Sequence, residues 1–170
     1  MMMIETERLL LRRFTEDDAE FILNLLNEPD WIKYIGDKGI KTIEDAKKYI
    51  EQSLIKMYNE LGFGLYLVTL KEYGIPIGMC GLVKRNGLED VDLGFAFLKD
   101  FTGKGYGYES ARAVMIYAKT ELNISRLAAI TTTDNHASEN LLLKLGFQFD
   151  SLTKLSQDAD PLKLFIKELN

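Results

Sequence analysis

Three glycines at alternate positions, Gly103, Gly105 and Gly107, lie between an apolar run, Val91 to Leu98, and a helical stretch that opens near Tyr106. Glycine at this density lets backbone approach a ligand closely, because no Cβ stands in the way. A helix start at the same place offers unpaired amides and the positive end of the helix dipole to an anion. Strand, glycine loop and helix are therefore the plan of a pyrophosphate site. Two well-known nucleotide loops are excluded by spacing. A dinucleotide fingerprint needs glycine at the sixth position, where counting from Gly103 gives Tyr108 and counting from Gly105 gives Ser110. A Walker A loop needs Gly-Lys-Ser/Thr after a four-residue gap, and the run Thr102-Gly103-Lys104-Gly105-Tyr106-Gly107 does not have it. The only histidine, His136, and the only cysteine, Cys80, belong to no motif. Cys80 lies in a strand-like run and reads as a small buried hydrophobe. No Cys/His cluster is spaced to hold a metal ion.

The flanking elements must position that loop. Arg8 to Arg13 reads as a first strand. Thr15 caps a helix whose first turn holds Glu16, Asp17 and Asp18, and the helix ends before Pro29. The aromatic run 30–36 then lies between two helices. Thr42 with Asp45 opens the next helix, whose apolar stripe is Ile43, Ala46, Ile50, Leu54 and Met57. From Gly64 the period changes to that of strands, 64–70 and 77–84. Asn86-Gly87 is a hairpin signal that delivers the chain into the strand from Val91. The helix over 106–122 buries Ala111, Val114, Met115, Ala118 and Leu122. Arg126 to Thr132 is a further strand. A helix connects it to the one before, so the two should run parallel. Asp134-Asn135 starts a short helix with Ala137, Leu141 and Leu145 on one face, stopped by Gly146. Two antiparallel strands, 147–155 and 162–169, finish the chain around a polar loop.

Composition narrows the classes. A chain of 170 residues suits one domain, 1–170, with a substantial core. The net charge of −5 argues against a nucleic-acid surface, and Arg12-Arg13 and Lys47-Lys48 read as solvated pairs. No apolar run has the length of a membrane span, and MMMIETERLL lacks the apolar segment of a secretory signal, so a cytoplasmic address and no membrane partner are expected.

Three blocks of this sequence resemble the GNAT N-acetyltransferases, in the branch containing the ribosomal-protein N-terminal alanine and serine acetyltransferases. ETERLLLRRFTEDDAEFI is similar to the branch's opening strand and acidic helix start. LGFAFLKDFTGKGYGYESA is similar to its acyl-CoA loop, Arg/Gln-x-x-Gly-x-Gly/Ala. TTTDNHASENLLLKLGFQF is similar to its Asp-Asn-x-x-Ser segment. The resemblance implies an α/β fold of the GNAT type: a central, mostly antiparallel mixed sheet with one splayed parallel strand pair and about four helices. It also implies acetyl-CoA as acetyl donor and an amine as acceptor. By the same likeness, the pantetheine arm pairs with backbone near Phe97 and Leu98, and the amides from Gly103 through Lys104, Gly105 and Tyr106 to Gly107 cradle the pyrophosphate. Thr102 departs from the pattern, lacking the charge and reach of Arg or Gln, and Lys104 is either a helpful point charge or an ordinary solvated lysine. Asn135 is a helix cap that the family also uses on pantetheine. Ser138 becomes the donor to the departing sulfur. Asp92 takes the place of the branch's acidic residue and is the candidate base, directly or through water; its plain alternative is a surface carboxylate near a hairpin. Trp31 and Tyr34 either wall the acceptor pocket or pack in the core.

Acetyl transfer needs an amine with a free lone pair. At pH 7 an α-amino group of pKa about 8 costs about 1.4 kcal/mol to deprotonate, whereas a lysine near 10.4 costs about 4.6 kcal/mol. A peptide N-terminus is thus a lighter demand on a base than a lysine, while polyamines, aminoglycosides and amino acids stay open as acceptors. The pocket should come from the 28–40 segment and the 155–161 loop. A GNAT fold that holds acyl-CoA without efficient catalysis is the reading from another class. Oligomeric state is not legible.

Overall fold

The computed structural model describes residues 3–170. Its frame is an eight-stranded sheet in the order β1-β2-β3-β4-β5-β6-β8-β7. The strands are β1 (Met3–Glu5), β2 (Leu9–Arg13), β3 (Leu65–Leu70), β4 (Pro76–Val83), β5 (Asp92–Phe97), β6 (Arg126–Thr132), β7 (Gln148–Thr153) and β8 (Leu162–Glu168). Every neighbouring pair is antiparallel except β5 and β6, the mixed sheet expected. The edge strand β1 was not foreseen. Its three residues are too short for a period to show, and pairing with β2 creates it.

Six α-helices pack on this sheet, more than the four expected: α1 (Ala19–Leu26), α2 (Pro29–Tyr34), α3 (Ile43–Tyr49), α4 (Lys56–Leu61), α5 (Tyr106–Thr120) and α6 (His136–Lys144). The aromatic run after Pro29 is itself the short helix α2, with proline at its first turn where no amide is needed. Thr42 and Asp45 form the capping box of α3. A π-helical stretch, Ile50–Ile55, joins α3 to α4. Its wider turn keeps Ala46, Ile50, Leu54 and Tyr58 buried at strict four-residue spacing, so Tyr58 takes the inward place expected of Met57 and Ile43 is exposed.

The sheet buries a core on each face. Leu93 and Phe97 of β5 pack with Ala111, Val114 and Ala118 of α5, and Ala96 packs on the other face with Ile22, Ala46 and Ile50. This alternation puts Asp92 and Gly94 on the α1–α3 side. The connection from β4 to β5 is an eight-residue loop, 84–91, rather than a tight hairpin, although Gly87 does take the positive φ of a turn. On α6 the inward face is Ser138, Leu142 and Leu145; Ala137 points to solvent.

Candidate functional site

β5 and β6 meet at one register position, Asp92 opposite Ala128, where the Ala128 amide donates to Val91 O at 2.9 Å. Beyond it the strands part, and a cavity of about 430 Å³ opens through the gap. The Leu98 amide faces β4, donating to Ile77 O at 2.9 Å. Backbone groups alternate along a strand, so the Phe95 and Phe97 amides face the gap instead. Of the two positions expected to meet pantetheine, Leu98 is thereby engaged elsewhere and Phe97 remains. The Phe97 carbonyl is taken as well, by the Trp31 indole Nε1 at 2.7 Å. Thr131 also lines the gap, and its Oγ1 is buried with no partner. Buried polar groups need partners, and a slender chain bearing amides fits this lining.

The glycine loop follows β5 and leads into α5. After a 3₁₀ turn, Lys99–Phe101, residues 102–105 are exposed. Gly103 and Gly105 have φ of +73° and +86°, a conformation that side chains rarely adopt. Gly105 caps α5 with no side-chain hydrogen bond to the first amides, so the helix start stays open to an anion. Gly107 also sets the approach of α5 to α6, since a Cβ there would stand 3.1 Å from Leu141 Cδ2. Thr102 is turned inward to the loop, its hydroxyl donating to Lys99 O at 2.7 Å.

Arg8 braces the loop from behind. Its Nη1 donates to Lys104 O at 3.1 Å, its Nε donates to Glu109 Oε1 at 2.7 Å, and its guanidinium lies 4.4 Å from the centre of the Tyr106 ring. Glu109 also accepts from Thr6 Oγ1 and the Arg8 amide. Burial pushes its carboxyl up, but these donors and the guanidinium charge outweigh that and hold it below the ordinary range. Sequence reasoning missed Arg8 and Glu109. The available signal was Thr6-x-Arg8 inside the opening block, a pair on one face of the chain.

The cavity is lined by side chains of several elements. Trp31 and Tyr34 of α2 line it, as do Tyr49, Ser53 and Met57, which recur at four-residue spacing beside the buried stripe. That second stripe was legible and went unread. Asp92 is only 1% exposed, so it is no surface carboxylate. Arg85 holds both its oxygens, Nε to Oδ2 at 2.8 Å and Nη2 to Oδ1 at 3.1 Å. Burial raises the Asp92 carboxyl above its ordinary value, and Arg85 pulls it part of the way back. Burial also raises the Tyr49 phenol, leaving it neutral beside Arg85.

Asn135 and Ser138 also face the cavity. Asn135 Oδ1 accepts from the Ser138 amide at 3.2 Å, the helix cap expected of it. His136 is exposed and does not line the cavity. Among the described residues no group of acidic, histidine or cysteine side chains is placed to hold a metal ion, and no helix is long and apolar enough to cross a membrane.

The GNAT acetyltransferase domain matches residues 8–148, and the chain belongs to that family. It is 30% identical over 154 residues to the uncharacterised N-acetyltransferase YoaA of Bacillus subtilis (strain 168), covering 89% of this chain and 85% of that one. A GNAT-family acetyltransferase from Bacillus anthracis superposes with a TM-score of 0.82 at 24% identity, over 99% of both chains. RimL, a ribosomal L7/L12 α-N-protein acetyltransferase solved with coenzyme A, superposes with a TM-score of 0.82 at 18% identity, over 98% of both chains. These two likenesses show the shared fold. The chain is an N-acetyltransferase, as the family and its relatives are.

Proposed function

We propose that this enzyme moves an acetyl group from acetyl-CoA to a primary amine by direct attack. The observation that carries it is a cavity at the parting of β5 and β6 lined by Asn135, Ser138 and the buried carboxylate of Asp92, in a chain whose α5 start is left open. Acetyl-CoA is the donor. Its pyrophosphate suits the amides of residues 103–106, and its pantetheine suits the Phe95 and Phe97 amides, Thr131 and Asn135. The amine nitrogen attacks the thioester carbonyl carbon, a C–N bond forms, and the C–S bond breaks. The amine's proton passes to Asp92, directly or through water. The thiolate leaves against the Ser138 hydroxyl, which donates to the sulfur. Burial favours Asp92 as acceptor of a proton, because it raises the carboxylate's basicity.

A protein N-terminus as acceptor draws on the fold shared with RimL, and the deprotonation cost of an α-amino group suits it. The test is thiol release from acetyl-CoA across a panel of primary amines. Amine-dependent release is expected. Release no faster than in buffer with every amine would sink the reading.

A further inference from the structure

The charges on the cavity wall select among amines. Of the residues lining it, only Lys38, Arg85 and Asp92 are charged. The one carboxylate is buried, with both oxygens committed to Arg85. No free carboxylate is left there to receive a second ammonium group. The cations are less committed. Arg85 is 36% exposed at its side chain, and Nη1 takes no part in the fork to Asp92. Lys38 is exposed and, among the described residues, forms no ion pair. The wall therefore carries a net positive charge in a chain whose total is −5. A polyamine or aminoglycoside would bring further cations against Arg85 and Lys38, where like charge repels.

Arg85 and Asp92 also set a cation and an anion side by side. An amine with a carboxylate one carbon away is the complement of that pair. Guanidinium is suited to carboxylate recognition through its planar fork of donors. Elsewhere the wall is largely apolar and aromatic, with Tyr34, Tyr49 and Met57. The cavity is about 430 Å³, and its Asn135 end is assigned to the donor, so the remainder suits a molecule of amino-acid size.

We propose that the acceptor is a free α-amino acid with an apolar side chain, its amine toward Asp92, its carboxylate on Arg85 Nη1 and Lys38, and its side chain along the apolar part of the wall. This rests on the acetyl-transfer reading above. The test compares leucine, methionine and phenylalanine with their carboxamides, with the amines lacking the carboxyl group, with short peptides starting in the same residues, and with spermidine and kanamycin. The intact enzyme is used at saturating acetyl-CoA, and thiol release is followed. The free acids are expected to exceed their carboxamides at least tenfold in kcat/KM, with the polycations lowest. Arg85→Gln should shrink the acid-to-amide ratio in kcat/KM to about threefold or less, while turnover of acids and carboxamides alike falls because Asp92 loses its partner. Lys38→Ala should raise KM for the acids severalfold and leave kcat in place, as expected for a purely binding contact. Carboxamides, peptides or polycations equal to or better than the free acids would overturn the acceptor class and leave acetyl transfer standing. No turnover on any amine would overturn both. The unmutated enzyme decides the acceptor class by itself, so the outcome does not hang on the folding of a variant.

Discussion

The two regions of the proposed site are made of different material. The proposed donor region is backbone: glycines at positive φ, an uncapped helix start and amides freed where β5 leaves β6. The proposed acceptor region is side chain: Trp31, Tyr49, Arg85 and Asp92, drawn from two helices, a loop and a strand. A backbone site tolerates most substitutions except those that change backbone shape, because every residue has an amide to offer. A side-chain site can be re-aimed one residue at a time, so the acceptor end can change while the donor end stays. The braces differ too. Arg8 and Glu109 hold the donor loop from outside the cavity, while the Arg85–Asp92 pair is the acceptor wall itself.

Five substitutions would sharpen or break that contrast. The largest effect belongs to the acceptor end. Asp92→Asn should cut turnover by about a hundredfold, in the usual range for a lost general base, and spare acetyl-CoA affinity. The Asp92 carboxyl is raised by burial, so unmutated turnover should fall as pH drops through that raised value. The deficit of Asp92→Asn should shrink as pH rises, because more of the amine is already deprotonated. Ser138→Ala, acting on the sulfur, should lose a similar factor at every pH. Parallel pH–rate profiles for the two would break the division of labour.

The next effect belongs to the donor end. Gly105→Val forces a β-branched residue to φ +86° and brings a Cβ within 3.2 Å of Arg8 Nη2. Acetyl-CoA affinity by calorimetry should fall about tenfold or more, roughly 1.4 kcal/mol. A folded Gly105→Val with unchanged affinity would remove the loop from the site. Glu109→Gln should act more gently, weakening acetyl-CoA about threefold by loosening Arg8 and costing about 1 kcal/mol of stability at neutral pH. Glu109 is held low in the folded state. Its contribution is therefore present above the ordinary glutamate value and lost as pH falls through the lower folded one. The difference in thermal midpoint between Glu109→Gln and the parent should close in acid. A gap independent of pH would deny the charge any part in it. The smallest effect is a gain: Thr102→Arg should tighten acetyl-CoA about twofold at low salt and lose that gain at high salt. No tightening at low salt would mean that the departure at Thr102 costs nothing.

Legibility followed the same division. Gly103 and Gly105 announced a loop because positive φ has few other tenants, and the helix after it was readable from its apolar period. Gly107 carried the same letter and a further reason, since only the packing of α6 puts Leu141 against it. Asp92 was readable as a candidate. Its burial and its bond to Arg85 were not, because the loop 84–91 had to fold back before the two could meet. Tyr49, Ser53 and Met57 keep their four-residue spacing in the sequence, but the π-helical turn decides which stripe faces the cavity and which the core.

The amino-acid order alone determined most of the elements, their succession and the glycine loop before α5. Each of these depends on residues within one or two turns of each other, where backbone geometry and side-chain period act directly. Tertiary structure decided the rest: the parting of β5 from β6, the brace of Arg8 on a loop some hundred residues away, and the charge that the acceptor wall presents. Those depend on side chains far apart in sequence meeting at hydrogen-bond distance, and no local spacing encodes such a meeting.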